Sequence, residues 1–414
     1  MNSFGVLTLA AVLAAAPAQA QPLSLQEALR TAETQSPRLS AQRFAADAAA
    51  AQVGRAAELP DPKLRLGLEN LPVTGEDRLR YDRDFMTMRS VGLMQEFPNA
   101  DKRAARNVRA TRMHELEGAN VQAQRSALQR EIATAWLDVH YAERVREALE
   151  RRVRQFRLQA DAVSAAISRG RQNAADSFML RQALEGANVR VIEQERLIER
   201  ARLALGVWIG ATARRELAPA PDTGQLLHAQ ERLLERLERH PMLRTVEQRE
   251  ALARAEVELA RSARKSDWAL ELGYAQRRPS FDNMITVMAT FELPWQTGRR
   301  QDRDVASRLA ELEQVRAQRE DEKRVREAEL RGWLADFESA SRRIERFERA
   351  LLPLARERAA AAAAAFRGAR GELAPVLEAE GAVTEAEIEL IQALAERGRA
   401  WANLGYLFPV EGEQ

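Results

Sequence analysis

The sequence contains no cysteine. That excludes disulfides, thiolate metal sites and a lipid anchor on an N-terminal cysteine. Histidine is scarce as well. There are 4 in 414 residues, His114, His140, His228 and His240, far apart and three of them in charged helical sequence. A bound zinc needs several such ligands converging, so these histidines read as solvated or packing side chains. No catalytic constellation stands out, and neither an enzyme activity nor a cofactor is expected. Charge of one sign is missing too. Charged residues make up 30% of the chain, yet they sum to +2, with glutamates set among the arginines throughout. A nucleic-acid binder would separate out a basic stripe, and none is visible.

Long apolar runs are also absent beyond the first twenty residues. Within those twenty, Phe4 to Ala16 is apolar, and Ala18-Gln19-Ala20 follows as a small-x-small cleavage site. The run is too short to span a bilayer as a helix. It reads as an export signal over residues 1–20, although its start carries no Lys or Arg, with the mature chain beginning near Gln21. If the exported chain enters a membrane, it must do so as a β-barrel, the other spanning structure that satisfies its own backbone.

What is present is a chain written twice. Ser36-Pro37-Arg38-Leu39 is echoed by His240-Pro241-Met242-Leu243, roughly 200 positions later, a spacing that marks an internal repeat. Leu64, Leu66 and Leu68 fall on Trp268, Leu270 and Leu272. Glu96-Phe97-Pro98 matches Glu292-Leu293-Pro294, Lys102-Arg103 lies near Arg299-Arg300, and Leu205-Gly206 matches Leu404-Gly405. The expected repeats are 21–215 and 216–414. Each runs in one order: a medium helix (about 24–57 and 225–264), two short strands, a very long helix (about 101–168 and 299–367), a polar turn and a second helix (about 173–208 and 374–406).

The long helices carry the strongest periodicity. In the first, Leu128, Ile132, Ala135, Val139, Ala142, Val145, Leu149, Val153, Phe156, Ala160, Val163 and Ile167 recur at steps of three and four. In the second, Leu330, Leu334, Phe337, Ala340, Ile344, Phe347, Leu351, Leu354 and Ala361 do the same. Such a seam is the signature of coiled-coil packing, and each helix would be roughly 100 Å long. Pro353 interrupts the second and is expected to act as a hinge. Ala359 to Ala365 is an unbroken alanine run, suited either to close helix approach or simply to high helix propensity.

The short segments, expected at about 62–70, 86–97, 267–277 and 283–293, alternate with period two. Trp268, Leu270, Leu272, Tyr274 and Gln276 oppose Asp267, Ala269, Glu271, Gly273 and Ala275, a length that suits a tilted membrane strand. Trp268 and Tyr274 bound its apolar face as an interfacial girdle would. Ile285, Val287, Ala289, Phe291 and Leu293 oppose Met284, Thr286, Met288, Thr290 and Glu292. In the first repeat Leu64, Leu66 and Leu68 oppose Lys63, Arg65 and Glu69, and Val91, Leu93 and Phe97 oppose Ser90, Met94 and Glu96. Arg89 falls on the apolar side, tolerable only near a rim. Four strands cannot close a barrel, and open edges cannot face lipid. Three protomers would supply twelve, although two or four would also satisfy the arithmetic.

With these features in view, the mature chain resembles the TolC-type outer-membrane efflux family over essentially its whole length. The local match is to the heavy-metal (CzcC/CusC-like) branch. It rests on Leu59-Pro60-Asp61-Pro62, Asn70-Leu71-Pro72-Val73, Met86-Thr87-Met88, Gln95-Glu96-Phe97-Pro98 with Lys102-Arg103, and Leu352-Pro353-Leu354-Ala355-Arg356-Glu357. The resemblance implies a mainly α protein with a small β part, three copies forming a 12-stranded outer-membrane β-barrel continued by an α-helical periplasmic tunnel. It also implies a periplasmic adaptor and an inner-membrane RND pump as partners, with this chain as a passive exit duct for heavy-metal cations.

In that family the hairpin turns form the periplasmic entrance. Here they hold Arg169, Arg171 and Asp176 in the first turn, and Arg370, Glu372 and Glu378 in the second. Asp176 falls on a family aspartate position. A family acidic pair falls on Pro375 and Glu378, so one carboxylate is lost. Threefold symmetry would still make a ring of carboxylates, which attracts cations, and the arginines are expected to pair with them. Met88, Met94, Met284 and Met288 sit on the more polar strand faces, where thioethers could contact soft ions or simply fill gaps. Two other functions remain open: a drug, solvent or peptide duct of the same architecture, and a periplasmic coiled-coil scaffold or adaptor. The aromatic-bounded strands argue against the scaffold.

Overall fold

The structure, a computed structural model, describes residues 21–167, 173–368 and 370–408; the expected export signal over 1–20 lies outside them. The chain forms α1 (Leu25–Gln35), α2 (Pro37–Ala56), β1 (Lys63–Glu69), β2 (Met88–Phe97), α3 (Ala100–Ile167) and α4 (Ala174–Ile209). It continues with α5 (Gln230–Glu235), α6 (Pro241–Ser262), β3 (Trp268–Gln276), β4 (Met284–Phe291), α7 (Gln301–Arg346), α8 (Leu352–Arg367) and α9 (Leu373–Gly405). The expected strands and long helices thus form within a few residues of their sequence bounds. The medium helices differ. The first is broken at Ser36, whose extended backbone precedes Pro37, the geometry that proline imposes on its predecessor. The second begins only at Pro241, with His240 as its cap. Before it stand the short α5 and a 3₁₀ turn.

Two compact units divide the chain, each drawing on both halves of the sequence. One comprises Met1–Ser36, Gln129–Leu226 and Ala335–Asn403. Its core takes Val153, Phe156 and Val163 from α3, Leu180 and Ala187 from α4 and Leu373 from α9, with Phe366 and Leu377 packed against them. Trp136 is fully buried, and its indole N–H donates to the Leu23 carbonyl at 3.2 Å. That carbonyl also accepts from Ala218, within a short parallel bridge between Leu23 and Leu217. Helix α9 approaches α3 closely at Gly398, where an added Cβ would lie 3.1 Å from the Tyr141 ring.

The seam of the second long helix departs from the simple three-four pattern. Residues Phe347–Leu351 form a π-helical turn directly before Pro353. A π turn holds one residue more than an α turn, which rotates everything beyond it by about 100°. Leu352 is therefore buried, whereas Leu351 and Leu354, expected on the seam, are 51% and 61% exposed. Proline removes one backbone donor, and the wider turn absorbs the defect.

The other unit comprises Pro37–Leu128, Leu227–Leu334 and Leu404–Gln414. It contains one antiparallel sheet in the order β1-β2-β3-β4, so the hairpins of the two sequence halves join through β2 and β3. Below the sheet, Ala253 and Val257 of α6 pack on Leu312 of α7. Glu250 is buried on α6 and gathers Arg254, Arg316 and Arg319 around its carboxylate. Burial alone would raise its pKa, but these three guanidiniums outweigh that and hold it below the usual carboxylate range.

Candidate functional site: the four-stranded sheet and the hairpin turns

Register aligns the alternation of all four strands. Leu66 faces Val91, Val91 faces Tyr274 and Tyr274 faces Ile285; one step along, Leu64, Leu93, Leu272 and Val287 form a second row. Neighbouring side chains on a sheet share a face when their residues are directly paired. Across these rows one face is therefore apolar, and it is open to the surroundings, with Leu66 77% and Ile285 73% exposed. A solvated sheet face would carry polar residues there.

At the helix end of that face Trp268 stacks between Phe97, 4.3 Å away, and Phe291, 6.4 Å away. Tyr274 lies on the same face nearer the loop end, so the structure sets the two expected girdle residues at opposite ends of β3. Sequence reading had put Phe97 and Phe291 on apolar faces without joining them to Trp268; only the register makes the three one row. Gln95 shares the face but turns its amide to the Pro60 and Glu96 carbonyls.

The opposite face is polar. Lys63 pairs with Glu96, and Arg65 reaches across β2 to Glu271 at 2.7 Å. Gly92 lies beneath that crossing; an added Cβ there would stand 3.3 Å from the Glu271 carboxylate. Met94 and Met288 flank Glu271 in register, Met88 faces Glu69 and Met284 faces Ala275. The four methionines thus share a face but form no single cluster with a donor set. Among the described residues no three His, Asp or Glu side chains gather to hold a metal ion.

At the first hairpin turn Arg169 and Arg171 lie outside the described residues. Asn173 caps α4 by accepting from the Ala175 N–H at 3.1 Å, and half-buried Asp176 occupies the first helical turn. A carboxylate there complements the helix dipole. At the second turn Arg370 and Glu372 are exposed, and neither makes a side-chain ion pair among the described residues. Glu378 pairs instead with Arg358 on α8, at 2.6 Å. Gly371 lets the chain pass Ala365, whose methyl would be 3.3 Å from an added Cβ.

No protein-family profile matches the sequence, and no curated protein matches it. Solved structures do. A membrane protein from Pseudomonas aeruginosa superposes with a TM-score of 0.78 at 18% identity, covering 92% of this chain and 93% of that one. The outer membrane protein VceC of Vibrio cholerae gives 0.75 at 17% identity, over 92% and 95% of the two chains. CusC, described for its folding and transmembrane channel formation, gives 0.74 at 16%, over 92% of each. The protein has the fold of the TolC-type outer-membrane channels. At these identities the likeness is one of fold.

Within this channel fold two polar constellations went unseen in the sequence. The first joins strand to helix. The Asp267 carboxylate accepts from the Asn99 N–H and from the Asn99 side chain, at 2.8 and 2.9 Å, and pairs with Lys102. Asn99 in turn caps α3, its side-chain oxygen accepting from the Lys102 N–H at 2.8 Å. Burial tends to raise the Asp267 pKa, but Lys102 and Asn99 more than offset it and leave it low. The second is buried between α3 and α9. Arg152 pairs with Glu380 at 2.8 Å, donates to the Leu377 carbonyl and lies over the Phe156 ring. Gln159 completes the set by donating to Glu380. Burial lowers the Arg152 pKa, partly countered by Glu380. The resemblance motif had drawn attention to Lys102, but its partner is 165 positions away. Nothing local marks the pair.

Three of the histidines hold local roles. His240 caps α6 by accepting from the Met242 N–H at 3.1 Å. His140 stacks on Trp136, and burial, with Arg144 adding to it, lowers its pKa. His114 lies 3.4 Å from the Ala46 carbonyl.

Proposed function

We propose that this chain is the outer-membrane exit duct of a tripartite efflux system. The observation that carries the reading is the exposed apolar face common to all four strands. Such a face is stable in lipid and unfavourable in water. Among the described residues the outer edges of β1 and β4 have no strand partner, and open edges are not tolerated in hydrocarbon. Further copies must therefore close the sheet, and three give a barrel of twelve strands. The channel fold of the solved neighbours supports the same placement. Export by a signal over 1–20, a helical periplasmic tunnel, an adaptor and an inner-membrane RND pump complete the proposal. The duct itself is passive.

For cargo, the resemblance of Leu59-Pro60-Asp61-Pro62, Asn70-Leu71-Pro72-Val73 and Gln95-Glu96-Phe97-Pro98 to the heavy-metal branch favours metal cations. The turn residues Asp176, Glu372 and Glu378 would form carboxylate rings at the tunnel entrance under threefold symmetry. Arg169, Arg171 and Arg370 would pair with these carboxylates to hold the entrance shut, whereas Arg358 supports Glu378 within one protomer. The methionines Met88, Met94, Met284 and Met288 would offer transient lumenal contacts.

A deletion strain and its complemented control test the cargo against copper, silver, zinc, cobalt, cadmium and several drugs. Sensitivity to metals alone, restored by complementation, is expected. Sensitivity to drugs alone would move the cargo to drugs while leaving the duct in place. Charge reversal at Arg370 should raise single-channel conductance and antibiotic leakage; unchanged values would remove it from the entrance lock.

A further inference from the structure

Arg89 carries the one charge on the apolar face of the four strands. Its register partners are Leu68 on β1 and Gln276 on β3, a three-strand row at the loop end of the sheet, one step beyond the last row that all four strands share. Its guanidinium stands 5.7 Å from the centre of the Tyr81 ring, and no carboxylate pairs with it among the described residues. Two loop arginines, Arg277 and Arg278, are engaged otherwise. Arg277 donates to the Phe85 carbonyl and Arg278 to the Arg83 carbonyl, and both lie over the Phe281 ring.

Its height on the sheet is informative. Between the Phe97–Trp268–Phe291 row and Arg89 lie eight steps of β2, about 26 Å along a strand at 3.3 Å per residue. Tilted by about 40°, that becomes about 20 Å along the barrel axis, close to the roughly 25 Å apolar band of such barrels. The aromatic row marks the helix-side boundary of the hydrocarbon, and Arg89 sits at the loop-side boundary. A cation there costs little, against about 2–4 kcal/mol at the midplane. Facing outward at that depth, it meets the headgroup layer of the outer leaflet.

We propose that Arg89, oriented by Tyr81, binds a phosphate of the outer-leaflet glycolipid, lipopolysaccharide. This rests on the barrel reading above. A planar guanidinium presents two parallel donors to phosphate oxygens, and the Tyr81 ring, its centre 5.7 Å away, leaves those donors free to meet them. The lipid A end of the glycolipid carries phosphates at the hydrocarbon boundary, the level that Arg89 occupies.

The test uses the purified full-length protein, wild type and Arg89→Ala and Arg89→Lys variants, titrated with three probes. These are lipopolysaccharide carrying its lipid A phosphates, the same material dephosphorylated, and phosphatidylglycerol vesicles. Arg89→Ala should weaken binding of the phosphorylated glycolipid about tenfold, the worth of one charge-assisted contact, and Arg89→Lys less. Dephosphorylated material should bind wild type as weakly as intact material binds Arg89→Ala. Equal binding by wild type and Arg89→Ala, or indifference to dephosphorylation, overturns the site. Phosphatidylglycerol competing as well as the glycolipid overturns the choice of ligand. Conductance of wild-type protein in planar bilayers separates the two levels: without it the barrel reading fails and the site with it, and with it only the site is at stake. Far-UV circular dichroism and heat-stable oligomer on gels report whether the variants fold.

Discussion

Arg152 on α3 and Glu380 on α9 form a buried ion pair, their side chains only 5% and 12% exposed. They lie 228 positions apart, one in each half of the sequence, and Gln159 and Phe156 complete the setting. Removing one partner of such a pair leaves an uncompensated buried charge.

Glu380→Ala should therefore destabilise the protein by about 3–5 kcal/mol, whereas the double variant Arg152→Met with Glu380→Leu should cost much less. Thermal unfolding followed by circular dichroism at one scan rate compares them. Equal losses in the two would mean that packing, not charge, governs the site.

The sheet–helix junction should be acid-sensitive through Asp267. Its pKa in the folded protein lies below the ordinary value, so its contribution is present above the unfolded carboxylate pKa and is lost as pH falls through the folded one. Asp267→Asn should be less stable than wild type at neutral pH, and the gap should close on acidification. Denaturant midpoints measured from pH 7 downward give the comparison; a constant gap would detach the effect from titration.

The two faces of the sheet should respond oppositely to charge. Leu272→Arg puts a cation in the middle of the apolar face and should cost about 2–4 kcal/mol and block bilayer insertion. Thr286→Arg, one register step away on the polar face, should insert normally and lower cation conductance. Heat-modifiable oligomer on gels and planar-bilayer recordings read both. Normal insertion of Leu272→Arg would contradict a lipid-facing surface.

On the polar face, Arg65→Gln leaves Glu271 without its partner and should raise cation preference, and Glu271→Gln should lower it. Reversal potentials across a salt gradient measure the change, and shifts of the same sign would exclude the pair as a lumenal element.

Much of the fold was legible because it is periodic. The seam from Leu128 to Val163 and the alternation of Trp268 to Gln276 each repeat with the period of their own element, so a local reading finds them. The break at Pro37 and the π turn before Pro353 were less so. Both follow from proline, but where the chain absorbs the defect depends on what must be buried next, and Leu352 rather than Leu354 won that place. Sequence also drew attention to the turn carboxylates, but not to Arg358 as the partner of Glu378, since any of several nearby arginines fits the pattern equally.

The sequence by itself determined the kinds of elements, their order and their duplication, together with the alternation that makes each strand two-faced. These depend on neighbours within a few residues, where backbone geometry alone relates side chains. Only the tertiary structure decided what meets across the chain: the Phe97–Trp268–Phe291 row, Lys102 with Asp267, Arg152 with Glu380, and Tyr81 beside Arg89. Those relations depend on strand register and helix phase. A shift of one residue in either would keep every local pattern and exchange every partner.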